Sequence, residues 1–572
     1  MRALPASKQH LLRHLRSLLL SLATLALLAG CSADSPPVAA AADATEWPLP
    51  TPPLRATHWF GEHWAKNLIN AFRREDVPAE FAQIREDGFD TVILVVSWAD
   101  FQPVFDPCCG YDERAFERLR FLVDEAERQH LRVMLRVGYA WGFHPDSPPT
   151  LERVHRLMNE PEARRAFLAL VDRIAADIRG RPHVLMSFMS WEDQWLRRIE
   201  PHAAADYASI VATLPAAEQP RDLTRLPSAD GEDAEAFNRY WDELMMASLH
   251  APAQQLIPNL GYEVRIDKEP LWGTDASGSH SVLRWIDHRR MYQPAGPAPL
   301  VLYWAPYWGA QNVGERLVAE QSLPLLANML AEAAAWSGSR PSFINQFNLI
   351  DNTPGHEQNA ALADAEIPEF LRGAVCVLKD AGVLGIGLWT GRDYVESPLY
   401  NPGFAYGLEG WTLTDASGHL RDPAVALLTA ADRDPWLAMQ EGDVLAQEFG
   451  TERGRLPHRD DRPDEACVDA RSENGAQLAL RAGDGEVTPL VLPVGHVGRA
   501  CTAIDSKPLG ERLRLTVTLA EGSAALRGLW LFDHVQDGAV RRVDGSPGRH
   551  HAAFRDFNAA MARSELPEDC RR

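Results

Sequence analysis

The sequence predicts an α/β chain: a closed (β/α)8 barrel of the TIM type followed by a smaller all-β sandwich domain. Three observations predict it. Across residues 56–400, short runs that are apolar throughout alternate with longer amphipathic ones, which is the pattern of parallel strands covered outside by helices. Beyond residue 400 the chain turns to short alternating strands broken by Gly and Asp, as an antiparallel sandwich requires. At 572 residues the chain exceeds one ordinary domain, and a large barrel with a second unit accommodates that length.

Residues 1–30 run from basic side chains through a Leu/Ala stretch to small residues, the order of a secretory signal rather than of a spanning helix. The segment ends Leu28-Ala29-Gly30-Cys31, which resembles the lipobox of bacterial lipoproteins. That resemblance implies acylation of Cys31 and, with Ser32 next, sorting to the outer membrane, with the body on the periplasmic or surface side. Residues 31–55, "CSADSPPVAAAADATEWPLPTPPLR", read as an extended Ala/Pro-rich linker. No later stretch has the roughly 20 apolar residues that cross a bilayer, so the lipid is the expected membrane contact.

The barrel, residues 56–400, takes its strands in order from "RATHWFGEHW", "GFDTVILVVSW", "LRVMLRVGYAW", "HVLMSFMSW", "QQLIPNLGYEV", "LVLYWAPYWG", "PSFINQFNLID" and "VLGIGLWTGRDY". Amphipathic segments such as "ERAFERLRFLVDEAERQH", "EARRAFLALVDRIAADIRG" and "EIPEFLRGAVCVLKDAG" supply the covering helices, and a further helix is expected around Glu235 to Leu249. In such a barrel the chemistry sits at the C-terminal ends of the strands. Glu192 and Asp193 fall just past the fourth strand, in "SFMSWEDQWL", between Trp191 and Trp195. Other strand ends carry Trp98, Tyr139 and Trp141, Tyr303, Tyr307 and Trp308, and Trp389 with Asp393. Seventeen tryptophans is a heavy load, and half of them are expected in the core; those at strand ends suit stacking against the C–H faces of a sugar ring.

By these features the barrel resembles the cellulase-like clan of (β/α)8 glycoside hydrolases. The resemblance implies a hydrolase acting on a polysaccharide or oligosaccharide, with no cofactor. In that clan the fourth strand ends Asn-Glu, the Glu being the general acid/base. Here Trp191-Glu192 stands there, so Glu192 carries over and the Asn does not. The sixth-strand aromatic matches Tyr303 or Tyr307, and the eighth-strand tryptophan matches Trp389. On the seventh strand, where the clan places its nucleophilic Glu, this chain has Gln346 before Phe347.

A carboxamide cannot form a glycosyl ester, and three explanations stay open. A neighbouring carboxylate takes the role, Glu357 first, then Asp351, with Glu263 after strand five and Asp393 after strand eight further off. Or the enzyme inverts, with a water between carboxylates about 6.5–9.5 Å apart instead of the roughly 5–5.5 Å of a retaining pair. Or the barrel has lost hydrolysis and keeps sugar binding. Retention is favoured over inversion, with Glu192 and Glu357 catalytic and Trp98, Trp141, Asp193, Tyr303, Tyr307, Gln346 and Trp389 contacting substrate. Trp191 and Trp195 would desolvate Glu192 and keep it protonated for donation to the leaving oxygen. An acidic pair at a strand-to-helix turn also serves as a helix N-cap, the more so for Asp193.

The net charge of −22 excludes nucleic acid as a partner and disfavours anionic headgroups. Of seven cysteines, Cys467 and Cys501 are the preferred disulfide because both lie in the C-terminal segment; one of the vicinal Cys108 and Cys109 is expected to reach Cys376 or Cys570. No metal-ligand spacing is present, and His144, His280 and His356 read as solvated loop histidines. Residues 401–550 form the sandwich, where "NPGFAYGLEGWTLTDASG" resembles the opening strand of carbohydrate-binding modules and separate short strands are expected in "AQLALRAG", "TPLVLPV", "RACTAIDS", "RLRLTVTLAEG" and "LRGLWLFDHV". Trp411 and Trp530 fit core or ligand contact, and residues 551–572 are a helix and polar tail.

Overall fold

The computed structural model describes residues 53–64, 68–104, 110–139, 144–189, 212, 246–264, 268–270, 283–285, 298–305, 314–338, 340–349, 360–395, 397–429, 433–450, 464–507, 512–532 and 539–571. Among these, eight parallel strands close into a barrel: β1 (Leu54–His58), β2 (Thr91–Ser97), β3 (Arg132–Tyr139), β4 (Val184–Met189), β5 (Gly261–Val264), β6 (Leu300–Trp304), β7 (Ser342–Phe347) and β8 (Gly385–Leu388). Each pairs with its sequence neighbour, and β1 closes on β8 in the register Leu54–Gly385 to Thr57–Leu388. Seven lie within the stretches expected from the sequence, and β1 begins one residue before its expected stretch, at Leu54 in the expected linker. β2, "TVILVVS", is buried at every position, because helices cover its outer face and the barrel interior its inner one.

The covering helices follow from their patterning. α1 (Val77–Glu86) has Pro78 in its first turn and buries Val77 and Phe81. α2 (Glu113–Arg128) is capped by the Asp112 carboxylate, which accepts from the Arg114 amide at 3.0 Å, and buries Phe116, Leu119, Leu122, Val123 and Ala126 at helical spacing. α3 (Pro161–Ile178), α4 (Ala319–Ser337) and α5 (Ile367–Asp380) cover the later strands.

Inside the barrel, Leu54, Ala56, Ile93, Met134, Met186, Phe188, Val301 and Phe343 make one buried cluster. Successive side chains in a strand alternate faces, so these positions mark the inward faces. Burying such a side chain contributes about 1.5–3 kcal/mol, and this apolar plug supports whatever stands one pleat higher.

The second unit is an antiparallel sheet domain of ten strands: β9 (Thr412–Thr414), β10 (Leu427–Leu428), β11 (Trp436–Gln440), β12 (Val444–Gly450), β13 (Asp464–Ser472), β14 (Ala476–Gly483), β15 (Thr488–Leu492), β16 (His496–Ile504), β17 (Ser506–Lys507) and β18 (Arg512–Phe532). The runs "RLRLTVTLAEG" and "LRGLWLFDHV", expected as two strands, are one strand, β18. Its first half lies between β12 and β14, its second between β11 and β13. Gly522 breaks the run with φ +84°, at a point where a Cβ would come 2.4 Å from the Gly475 oxygen. The two halves enclose one core that includes Leu437, Leu445, Val468, Leu478, Val517 and Leu529. The expected opening strand at 401–418 is mostly a turn: Asn401 donates to the Gly407 and Glu409 carbonyls and accepts from the Tyr406 amide, leaving only Thr412–Thr414 extended. Trp411 and Trp530 are both core side chains.

A buried ion pair and a set of hydrogen bonds join this domain to the barrel. Arg118 of α2 meets Asp434 at 2.9 Å, and Arg73 donates to the carbonyls of Gly403, Asp434, Pro435 and Arg527. The final helix, α6 (His551–Ala562), returns to the barrel, where Phe557 stacks on Phe347 at 6.1 Å and Asn558 donates to the Asp87 carbonyl. The Cys467–Cys501 disulfide is present as expected, between facing positions of β13 and β16. Cys376, however, pairs with Cys570: α5 carries Cys376 to within 5.3 Å (Cα–Cα) of the C-terminal turn, within bonding geometry for a disulfide. Neither therefore bonds Cys108 or Cys109, which lie outside the described residues.

Candidate active site

One pleat above the apolar plug, on the same inward faces, the barrel changes chemistry. His58 follows Ala56, Arg136 follows Met134, Tyr303 follows Val301 and Asn345 follows Phe343, each by the two-residue repeat of a strand. Glu263 follows Gly261, whose hydrogen faces inward against Val301 and Phe188; Trp389 follows Gly387, which faces Ile93. The result is a polar and aromatic layer at the C-terminal end of the barrel, where barrel enzymes keep their chemistry.

A bulge adds one further residue. Ile344 lies opposite Leu302, but Gln346 lies opposite Tyr303, so β7 carries an extra residue against β6 at Asn345. Both neighbours can then address the mouth, the re-aiming that bulges perform beside functional sites. Asn345 Nδ2 donates to Glu263 Oε2 at 2.9 Å. The Gln346 carboxamide oxygen accepts from Arg136 Nη1 (2.9 Å) and Nη2 (3.0 Å) in the amide orientation that pairs acceptor with donors.

Arg136 is the hub. Its guanidinium is wholly buried, reaches Glu263 Oε2 at 3.3 Å, and lies 4.9 Å from the Tyr139 ring and 5.5 Å from the Trp389 ring. His58 Nδ1 donates to the Leu388 carbonyl at 3.2 Å, and its ring lies 4.8 Å from Trp389. Burial, with Arg136 adding to it, pushes the His58 pKa down to about 3. The imidazole is therefore neutral near pH 7, and its Nε2 lone pair has no hydrogen-bond partner among the described residues. Trp389 is partly exposed and donates to the Tyr394 hydroxyl at 3.2 Å. The Tyr303 hydroxyl accepts from Asn348 Nδ2 at 3.5 Å.

Of the residues expected to contact a ligand, the structure brings together Tyr303, Gln346 and Trp389. Trp98 is a packing residue: it is fully buried, its Nε1 donates to Gln102 Oε1 at 3.0 Å, and its ring meets Phe167 of α3 edge-on at 5.5 Å. Trp98 opens the short helix Trp98–Phe101 at the end of β2, and its indole packs against α3. Glu192, Asp193, Trp141, Tyr307 and Glu357 lie outside the described residues, as do Cys31, Asp351, His280 and His356. His144 is buried rather than solvated, its ring 5.4 Å from Tyr400, and burial lowers its pKa. Glu263 is on β5 itself, not after it. Arg136, His58 and Asn345 were not singled out by sequence reasoning. The available signal was a charged or polar residue two positions after an inward apolar one, most visibly Arg136 inside "RVMLRVGY".

No protein-family profile and no curated protein matches the chain. Solved structures with a related arrangement include GH5_18 from Streptomyces cattleya in complex with GlcNAc (17% identity, 60% of this chain and 72% of that one, TM-score 0.40). An exo-beta-1,4-mannosidase from Opitutaceae bacterium strain TAV5 gives 15% identity over 62% of this chain and 55% of the other, with a TM-score of 0.40. An endo-1,4-beta-mannanase from Rhizomucor miehei gives 8% identity over 59% and 85%, with a TM-score of 0.35.

Proposed function

We propose that this chain is a glycoside hydrolase acting on a polysaccharide or oligosaccharide at the C-terminal mouth of its barrel. The observation that carries this reading is the layer of Arg136, Glu263, Asn345, Gln346, His58, Tyr303 and Trp389 over an apolar plug. It joins an aromatic face, hydrogen-bonding groups for hydroxyls and a paired buried charge, the equipment for holding a neutral sugar beside a carboxylate. Glu192, next after β4, is the proton donor in this reading. The opposing carboxylate comes from the strand-end acids, Glu357 among those expected from the sequence and Glu263 among those the structure describes. Asp193, Trp141 and Tyr307 complete the substrate contacts.

The test is reducing-end release from a panel of neutral oligosaccharides. Glu192→Gln is expected to lose at least about 10²-fold in turnover, the usual contribution of a positioned acid. Wild-type rates in that variant would remove Glu192 from the mechanism.

One observation favours a second reading, glycan binding without hydrolysis: the β7 side chain facing Arg136 is the neutral Gln346. Calorimetric binding of an oligosaccharide that wild-type protein leaves intact would establish it. For location, we propose attachment to the outer membrane by a lipid on Cys31, with the body periplasmic or at the surface. Cys31→Ser is expected to release the protein from the membrane fraction. For the sheet domain we propose support of the barrel, since Trp411 is committed to its core and Trp530 packs with Val395 and Val543 and donates to His63 beside the barrel.

A further inference from the structure

Resting on the glycosidase reading, we infer that the catalytic nucleophile is Glu263 on β5. The charge that Gln346 lacks on β7 is supplied from across the mouth.

Arg136 is a wholly buried cation at the centre of the polar layer, and burying it requires an anion beside it. Among the described residues, Gln346 and Glu263 meet its guanidinium. Gln346 offers only a carbonyl oxygen, while Glu263 offers a full negative charge. The same Glu263 oxygen, Oε2, also accepts from Asn345, which the β7 bulge turns toward it. Two such contacts on one oxygen hold the carboxylate in a fixed orientation. Its position, one pleat above Gly261 on an inward strand face, is that of a group meant for the mouth. Two other described acids near strand ends are engaged elsewhere: Asp100 bonds Asn70, and Glu62 meets Arg392 and Arg499.

In the reaction, a Glu263 carboxylate oxygen bonds to the anomeric carbon as the glycosidic C–O bond breaks. The departing oxygen takes the proton of Glu192. Water then attacks the glycosyl ester, gives its proton back to Glu192 and frees Glu263, with net retention at the anomeric carbon. Arg136 and Asn345 are positioning residues for this carboxylate.

The test uses wild-type protein, so it does not depend on a variant folding. A panel of 2-deoxy-2-fluoro glycosyl fluorides of gluco and manno configuration, both anomers, is incubated with the enzyme and the modified peptide identified by mass spectrometry. The mass increase is expected on the peptide carrying Glu263. A label on the Glu357 peptide, or none together with an inverted product by NMR, overturns the assignment and leaves the glycosidase reading intact. In parallel, Glu263→Gln is assayed on 2,4-dinitrophenyl glycosides. A loss of at least about 10³-fold in kcat is expected, with partial recovery in azide and formation of a glycosyl azide; activity within tenfold of wild type overturns the assignment. A wild-type protein that turns over no glycoside in either panel overturns both this inference and the reading beneath it.

Discussion

Arg136 on β3 and Glu263 on β5 meet inside the barrel mouth, Nη2 to Oε2 at 3.3 Å, with side chains 0% and 2% exposed. Removing one partner of a buried pair strands the other charge, which costs about 3–5 kcal/mol, whereas replacing both with apolar groups is often close to neutral. Arg136→Leu is therefore expected to lower stability by about that amount, and the double variant Arg136→Leu, Glu263→Leu to recover most of it. Urea unfolding of the two variants checks this. Equal destabilisation in both would show that the pair contributes through packing instead of charge.

His63 accepts a hydrogen bond from Trp530 Nε1 to its Nε2 at 2.5 Å, a contact between the β1–β2 connection and the sheet domain. Acceptance needs the nitrogen bare, and burial, with Arg499 adding to it, pushes the His63 pKa down to about 3. A folded value below the unfolded value of about 6.5 means that unfolding takes up a proton, so stability is complete above pH 6.5 and falls as pH drops below it. His58 and His250, lowered to about 3 and about 4, act in the same direction. Asp100, raised to about 8 by burial, acts oppositely over the same window. His144 is lowered as well, and Asp76 and Glu80 are raised by burial with Asp100, so the four histidines are partly offset; His63 by itself contributes a slope of about 1.4 kcal/mol per pH unit below pH 6.5. His63→Gln is expected to reduce that slope by about one proton, measured as urea midpoints from pH 7 to pH 4.5. An unchanged slope would mean that His63 is already protonated in the fold.

How much of this was legible in the sequence depends on the kind of signal. The barrel was, because a parallel strand covered on both faces must be apolar throughout, and "TVILVVS" or "LVLYW" cannot be read otherwise once helices flank them. The Cys467–Cys501 pair was legible from proximity in the chain. Cys376–Cys570 was not, since its partners are 194 residues apart and only the return of α6 to the barrel joins them. β18 was misread as two strands because Gly522 looks like a turn; tertiary pairing with four neighbours keeps it one strand across the bend. The strand-end aromatics Tyr303 and Trp389 were found because aromatic residues after an apolar run are conspicuous. Trp98 had the same signature, yet it begins a short helix and is buried against Phe167, which the pattern does not show. Arg136 and Asn345 were passed over because they lie within strands, where only the two-residue repeat and the β7 bulge reveal which face they occupy.

The Cys376–Cys570 disulfide fastens the C-terminal turn to α5 and so holds α6 against the barrel, where Phe557 lies on Phe347, the residue after Gln346. It closes a segment spanning 194 residues, so its loss releases a large loop in the unfolded chain, and removal of such native bonds typically costs about 2–5 kcal/mol. Cys376→Ser with Cys570→Ser is expected to lower stability by that amount and to expose the α5–α6 contact first. Amide exchange should show lost protection over residues 551–562 before any loss over β1 to β4. Under the glycosidase reading, turnover should fall less than stability, because Phe347 faces α5 and α6 while its neighbour Gln346 faces the mouth. If exchange instead rises uniformly across barrel and helix, α6 unfolds only with the whole domain, and the bond acts on global stability alone.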